Sequence, residues 1–157
     1  MKTLPEVWRP DSQPDFVGPV LLDTHIWVWY LDGAGERMAA SGVELVRQCL
    51  RGEGALVSDM SVWEVGTKVA RGKLTLKPNV SSWLERASRR PGFSFLSLDR
   101  EILLLSTQLP GAIHGDPVDR ILVASSALAG FPIVTADHMI VDYARSEGGF
   151  SACDVRR

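Results

Sequence analysis

Short apolar runs alternate along this chain with longer segments in which apolar residues recur every three or four positions. The short runs are "VLLD" (20–23), "ALVS" (55–58), "FSFLSL" (93–98) and "PIVTAD" (132–137). Continuous apolar runs of this kind are typical of strands that are buried on both faces of a parallel sheet. The longer segments predict helices over residues 24–32, 36–51, 61–72, 78–90, 99–108, 117–130 and 138–146.

Strands that alternate with helices in this way favour a parallel sheet with helices packed on both of its faces. We therefore predict an α/β fold of three layers, with a mainly parallel central sheet, over residues 20–157. Residues 1–19 contain four prolines and no clear helix or strand pattern. They predict an extended, mobile N-terminal arm, or a segment that was partly added to the natural sequence.

Composition narrows the classes of function. The 157 residues carry a formal net charge of −2, so the chain has no overall basic character for binding nucleic acid. No apolar stretch approaches the roughly 18 residues that cross a bilayer. The two cysteines, Cys49 and Cys153, lack the spacing of a zinc site, and their small number favours a reducing, cytoplasmic location.

Four acidic residues stand where predicted strands give way to helices. Asp23 and Asp137 end apolar runs, whereas Glu64 and Asp119 lie about one turn into the helices that follow. In an open parallel sheet these junctions lie along one edge, where ligands bind. We therefore expect the four side chains to share one cleft, with Asp116 close by.

Each acid also has a simpler interpretation as a helix cap. Ser61 and Glu64 have the spacing of a capping box. Asp116 directly precedes Pro117, as an N-cap precedes a proline at the first helical position. A local role at the start of a helix also suits the other three acids, Asp23, Asp119 and Asp137.

The capping interpretation weakens when the four acids are considered together, because caps have no reason to converge. Carboxylates gathered at one edge would repel one another by about 1 kcal/mol for each close pair, even in a watery cleft. A divalent cation relieves that repulsion. Ligands that are all oxygen, without cysteine, favour Mg²⁺ or Mn²⁺. All three histidines (His25, His114 and His138) lie within two residues of an aspartate, so a mixed His/Asp metal centre is the alternative.

Four motifs in this order, "LLDTHIWVWYL", "SVWEVGTKVARGKL", "HGDPVDRILVASSAL" and "IVTAD", resemble the acidic motifs of PIN-domain ribonucleases. The resemblance covers residues 20–145 and is closest to the toxin subunits of VapBC-type toxin–antitoxin pairs. It implies a PIN-like fold and a Mg²⁺-dependent endoribonuclease that forms a homodimer and binds an antitoxin. By the same resemblance, the metal-binding and catalytic acids are Asp23, Glu64, Asp119 and Asp137, with Asp116 as an auxiliary acid.

Polar and basic residues near these acids are candidates for supporting roles. Thr24, Ser61 and Thr135 would bind metal-bound water or hold a carboxylate in its rotamer, although a local backbone hydrogen bond is an equal alternative. The candidates for contacting an RNA backbone are Lys68, Arg71, Lys73 and Arg120. For the first three, the alternative is a solvated helix end whose basic residues complement the helix dipole.

Three other functions compete with a toxin. A PIN nuclease without a toxin role and a catalytically silent PIN-like RNA-binding scaffold would share the fold. A phosphoacceptor receiver domain also carries acids at the ends of parallel strands. It needs a second acid next to the first one and a late lysine, and Asp23 has no acidic neighbour.

Overall fold

Six strands form a single sheet in the order β1-β6-β5-β2-β3-β4, and every neighbouring pair is parallel. The computed structural model describes residues 3–113 and 115–157, and the strands are counted within those ranges. The strands are Val7–Trp8 (β1), Val20–Leu22 (β2), Ala55–Ser58 (β3), Phe93–Leu96 (β4), Ile133–Thr135 (β5) and Ala152–Asp154 (β6).

Seven α-helices connect these strands within the described ranges. The helices are Thr24–Leu31 (α1), Ala40–Arg51 (α2), Asp59–Ala70 (α3), Val80–Ser88 (α4), Arg100–Thr107 (α5), Pro117–Ala129 (α6) and His138–Glu147 (α7). Each predicted helix is present, and the predicted helix over 36–51 begins as a separate 3₁₀ turn at Gly35–Arg37. In the described part of the chain, no helix is long and apolar enough to span a membrane.

Strand β2 shows why the sheet is covered on both faces. Its three residues are fully buried. Val20 and Leu22 pack into one core cluster with residues of α1 and α2, such as Trp27. Leu21 points the other way, into a second cluster with residues of α6 and α7. Side chains alternate along a strand, so a wholly apolar strand has to be covered twice. The predicted three-layer α/β fold is confirmed.

The N-terminal segment differs from the predicted mobile arm over residues 1–19. Val7 pairs with Ala152, and β1 thereby becomes the edge strand beside β6. The Trp8 side chain is buried, and its indole Nε1 donates a hydrogen bond to Ser151 Oγ at 3.0 Å. An isolated two-residue strand flanked by prolines has no periodicity from which it could be predicted. The described part of the segment therefore packs on the domain at β1.

Candidate active site

The carboxyl ends of the central strands bring the predicted acids to one edge of the sheet. Asp23 directly follows β2, and Asp137 lies two residues beyond the end of β5. The two strands are neighbours, and the Asp23 amide donates to the Val134 carbonyl at 3.0 Å. Helices α3 and α6 carry Glu64 and Asp119 to the same edge, as the electrostatic coupling described below indicates.

Asp23 is held rigidly by hydrogen bonds to both of its carboxylate oxygens. Its Oδ1 accepts from the Thr24 amide at 2.8 Å, which caps α1, and its Oδ2 accepts from Thr135 Oγ1 at 2.6 Å. His25 Nδ1 lies 3.5 Å from the same Oδ2. His25 Nε2 accepts from the Ala136 amide at 3.3 Å, and this contact leaves Nδ1 facing Asp23. Asp23 is therefore both a cap and a fixed, buried carboxylate.

Asp116 and Asp119 occupy different positions at the start of α6. Asp116 is the N-cap, and its Oδ1 accepts from the Val118 amide at 2.9 Å, with Pro117 at the first helical position. Asp119 lies one turn inward, and only 8% of its surface is exposed. The predicted cap at Asp116 is confirmed, and Asp119 has the buried position that a ligand for a cation needs.

The environment of Asp119 shows that the acids converge. Burial, followed by repulsion from other carboxylates, raises the pKa of Asp119 to about 8, from an ordinary value of 3.8. The repelling groups are Asp23, Asp116, Asp137 and Glu64, in that order of size. A carboxyl group whose pKa is raised in this way has negative neighbours within electrostatic range. The five acids thus share one region, although they belong to four separate segments of the chain.

Glu64 has no capping role, and the predicted Ser61–Glu64 capping box is wrong. Helix α3 begins earlier, with Ser58 as the N-cap, whose Oγ accepts from the Met60 amide at 3.1 Å. Glu64 is therefore too far into the helix to bond the N-cap amide. The pKa of Glu64 is raised, mainly by burial, and the charges of Asp23 and Asp116 add to that shift. Lys68, whose Nζ lies 3.1 Å from Glu64 Oε1, acts in the opposite direction.

Thr135 connects two of the acids. Its hydroxyl donates to Asp23 and accepts from the Asp137 amide at 2.9 Å. Asp137 in turn caps α7, since its Oδ1 accepts from the Met139 amide at 2.9 Å. Thr135 thus makes the hydrogen bond that its predicted role, holding a carboxylate in its rotamer, requires.

The side chains of the other two supporting residues, Thr24 and Ser61, bind each other. Thr24 Oγ1 donates to Ser61 Oγ at 2.8 Å, and both side chains are buried. This hydrogen bond joins α1 to α3 beneath the acidic edge. It fixes α3, which carries Glu64, relative to α1, whose N-cap is Asp23.

The predicted basic residues are placed differently from one another. Lys68 pairs with Glu64, at the acidic edge itself. Arg71 and Lys73 follow the end of α3 and are exposed. Arg120 Nε donates to the Ser106 carbonyl at 2.9 Å, so this side chain joins α6 to α5. That contact gives Arg120 a structural partner, which the prediction of an RNA contact did not anticipate.

The histidines offer only one contact with an acid among the described residues. His25 is the one beside Asp23, and His138 is exposed at the first position of α7. His114 lies outside the residues that the structure describes. Within residues 3–113 and 115–157, no three side chains of His, Cys, Asp or Glu form a group that could hold a metal ion as they stand.

The donor chemistry nevertheless fits a hard divalent cation. The candidate ligands are carboxylate oxygens, and the repulsion that raises the pKa of Asp119 is the energy that a bound cation would remove. Repulsion acts over longer distances than coordination does. A shared ion would therefore require the carboxylates to draw closer than they stand in this structure.

A further acid at the same edge, Asp154, was not predicted. Asp154 ends β6 and is buried, and Arg156 donates to both of its oxygens, from Nε at 2.9 Å and from Nη2 at 2.7 Å. Burial raises the pKa of Asp154, but the hydrogen bonds and charges of Arg156, with the charge of Arg9, outweigh it and lower the pKa. The available signal was again an acid at the end of an apolar run, in "ACDVR".

The model of the PIN domain family matches residues 20–146 of this chain. The chain belongs to the PIN domain family. Membership excludes the receiver-domain alternative, and the match spans all five predicted acids of the PIN domain. Its start at residue 20 leaves β1 outside the matched region, so the N-terminal edge strand lies beyond the part that defines the family.

Individual relatives agree with this assignment. "Ribonuclease VapC22" of Mycobacterium tuberculosis (strain ATCC 25618 / H37Rv) is 22% identical over 121 residues, which is 77% of this chain and 88% of the relative. VapBC2 from Rickettsia felis, solved bound to a promoter DNA fragment, superposes with a TM-score of 0.63 at 13% identity over 87% of this chain and 98% of that one. The resemblance to VapC-type PIN domains is confirmed.

A second structural relative has the same fold. FitAcB from Neisseria gonorrhoeae superposes with a TM-score of 0.60 at 17% identity, over 87% of this chain and 97% of that one. At such identities the structural likeness establishes the fold of the PIN domain and not its chemistry.

Proposed function

We propose that this PIN domain is a Mg²⁺-dependent endoribonuclease, and that it is the toxin of a toxin–antitoxin pair. The observation that carries the proposal is the raised pKa of Asp119, which results from burial and from repulsion by four other acids. A bound divalent cation would relieve this repulsion and thereby stabilise the folded state. The relative named as a ribonuclease supports RNA as the substrate.

The proposed metal ligands are Asp23, Glu64, Asp119 and Asp137, with Asp116 as an auxiliary acid. When bound, Mg²⁺ or Mn²⁺ supplies a Lewis acid that activates water and neutralises charge on the phosphate under attack. Thr135 keeps the Asp23 carboxylate in one rotamer and holds the Asp137 backbone beside it. The chain's own contribution is thus to orient Asp23 and Asp137 beside each other before a cation binds.

The proposal is tested by incubating the purified chain with single-stranded RNA and Mg²⁺ and then mapping the new RNA ends. We expect cleavage by the natural chain and loss of cleavage in Asp119→Asn, which removes the charge but nearly keeps the shape. Asp142→Asn is the matched control, because Asp142 is an exposed acid on α7 that pairs with Arg145. Equal cleavage by Asp119→Asn and the natural chain would refute a catalytic role for the acidic edge.

The toxin role rests on solved relatives, which are the VapBC2 complex and a further structure with a TM-score of 0.59 at 18% identity, FitAB bound to an IR36 DNA fragment. We propose that this chain likewise binds a cognate antitoxin protein, that it forms a homodimer and that it acts in the cytoplasm. A basic antitoxin side chain placed among the carboxylates would compete with the metal. Co-expression with the product of an adjacent small gene should give a stable complex that no longer cleaves RNA.

Two alternatives within the family are distinguished by measuring RNA cleavage, RNA binding and growth of the expressing cells. A PIN nuclease that is not a toxin would cleave RNA but would not arrest growth when it is expressed alone. A catalytically silent RNA-binding scaffold would bind RNA without cleaving it, in the natural chain and in Asp119→Asn alike. The shared acidic edge favours the catalytic interpretation over the scaffold.

A further inference from the structure

The end of β6 lies beside the end of β5, where the proposed ligand Asp137 is located. Asp154 is the register partner of Thr135, and the Val155 amide donates to the Thr135 carbonyl at 3.0 Å. Arg156 follows Asp154 by two residues, as Asp137 follows Thr135. The strand register therefore carries Arg156 to the rim of the acidic edge.

Two arginines, Arg9 and Arg156, form a small cluster with Asp154 at this rim. We call the two arginines the β6 arginine pair. Arg156 is held by both oxygens of Asp154, and Arg9 Nη1 lies 3.5 Å from Asp154 Oδ2. Arg9 Nη2 also donates to the Arg156 carbonyl at 2.6 Å. The two guanidinium groups are thus held next to each other by their shared partner, Asp154.

Burial gives this cluster a cationic outer surface. The Asp154 side chain is only 7% exposed, whereas the side chains of Arg9 and Arg156 are 47% and 39% exposed. The buried carboxylate faces inward, and the positive groups face solvent with one net positive charge. An arginine held in this way loses little side-chain entropy when its remaining N–H groups bind an anion.

The charge of one proposed metal ligand also acts on Arg156. The hydrogen bond to Asp154 is the main reason that the pKa of Arg156 is raised, and the charges of Asp154, Asp142 and Asp137 add to the effect. Asp142 belongs to the exposed face of α7, but Asp137 is one of the proposed metal ligands. A nucleic acid strand with one phosphate at the acids would have a neighbouring phosphate near Arg156.

We propose that the β6 arginine pair binds a backbone phosphate of the RNA strand, next to the phosphate at the acidic edge. The inference rests on the proposed nuclease function and adds a binding position that lies outside the acidic motifs. Lys68 is less suited to this task, because its ammonium group is paired with Glu64 inside the acidic edge. The net charge of −2 also makes a local, pre-oriented cation pair the expected means of holding RNA.

The test measures the affinity of a short single-stranded RNA for Asp119→Asn, a background chosen to prevent cleavage, over a series of salt concentrations with Mg²⁺ held constant. Adding Arg156→Gln should weaken binding and reduce the slope of log affinity against log salt by about 0.7, the value for one phosphate contact on a single strand. Arg156→Lys should keep most of the slope, because it keeps the charge. Arg9→Gln leaves the pairing of Asp154 with Arg156 in place and should also reduce the slope.

Arg51→Gln is the matched control. Arg51 is an exposed arginine whose Nη2 lies 3.2 Å from Glu44 Oε1. It is the last residue of α2 and comes shortly before the start of β3, whereas the acids follow the ends of the strands. If Arg156→Gln and Arg9→Gln change the slope no more than Arg51→Gln does, the β6 arginine pair has only a structural role and the inference is wrong. If the natural chain neither cleaves nor binds RNA, the proposed function fails and the inference fails with it.

Discussion

Thr135 Oγ1 and Asp23 Oδ2 are joined by a hydrogen bond of 2.6 Å, although the two residues are 112 positions apart in the chain. The same hydroxyl accepts from the Asp137 amide at 2.9 Å. One buried side chain therefore orients two of the proposed metal ligands, which belong to neighbouring strands. This arrangement predicts that a change at Thr135 affects activity through the acids, without removing any of them.

Thr135→Val keeps the size of the side chain but removes both hydrogen bonds. We expect it to lower the free energy of unfolding by about 1–3 kcal/mol, because the buried Asp23 carboxylate and the half-buried Asp137 amide each lose a partner. RNA cleavage should fall by more than the loss of folded protein explains. Thr135→Ser should restore both properties, since it keeps the hydroxyl. The measurements are denaturant unfolding and initial cleavage rates.

The control for this substitution is Thr107→Val, at an exposed position on α5 where Oγ1 bonds the Leu104 carbonyl at 2.7 Å. That change also removes a threonine hydroxyl, but away from the acids. If Thr107→Val and Thr135→Val have the same effect on cleavage, orientation of Asp23 by Thr135 does not contribute to activity.

The raised pKa of Asp119 predicts how stability depends on pH without metal. The carboxyl is protonated in the folded state up to about pH 8, whereas in the unfolded chain it ionises near 3.8. The unfolded state therefore binds fewer protons between these values, and stability should decrease as pH rises across this window. The raised pKa of Glu64 acts in the same direction.

Asp119→Asn removes this contribution, so its stability should change less with pH than that of the natural chain. The difference should be largest at the high end of the window, where the variant is the more stable protein in the presence of EDTA. Asp142→Asn, at an exposed position, should follow the natural chain. Parallel curves for all three proteins, from urea unfolding at each pH, would show that Asp119 is not destabilised by its neighbours.

Much of the fold was predictable because its main elements have strong local patterns. The β2 run is wholly apolar, the β5 run begins with Ile133 and Val134, and the α6 start is marked by Asp116 and Pro117. Strand β1, at the edge of the sheet, and its neighbour β6 have two and three residues, and neither was predicted from its sequence. Their position depends on pairing with distant segments, which the sequence pattern does not encode locally.

The positions of Asp23 and Asp137 were predictable for the same reason, since each follows the apolar run of a strand that ends at the same edge. The start of α3 was not, because Ser58 and Ser61 are both acceptable N-caps and tertiary packing buries Ser61 against Thr24. The pairing of Asp154 with Arg9 and Arg156 was missed because Arg9 lies in the segment that was expected to be a mobile arm. Contacts of this kind require the sheet order.

Divalent metal should stabilise the fold by linkage, since it binds the folded state and relieves repulsion there. We expect the melting temperature to rise with millimolar Mn²⁺ or Mg²⁺ and to return with EDTA. The rise should be smaller in Asp119→Asn and unchanged in Asp142→Asn. Equal shifts in all three proteins would indicate binding elsewhere, and the absence of any shift would count against a shared metal site.

The two aspartates of "GDPVDRIL" should respond differently to replacement by alanine. Asp116 is the N-cap of α6, and its exposed side chain bonds the Val118 amide, so Asp116→Ala should cost about 1 kcal/mol of stability. Its effect on cleavage should be modest, because it is an auxiliary acid. Asp119 is buried among like charges, so Asp119→Ala should abolish cleavage with little loss of stability. An inactive Asp116→Ala beside an active Asp119→Ala would instead place the essential ligand one helical turn earlier, at the cap.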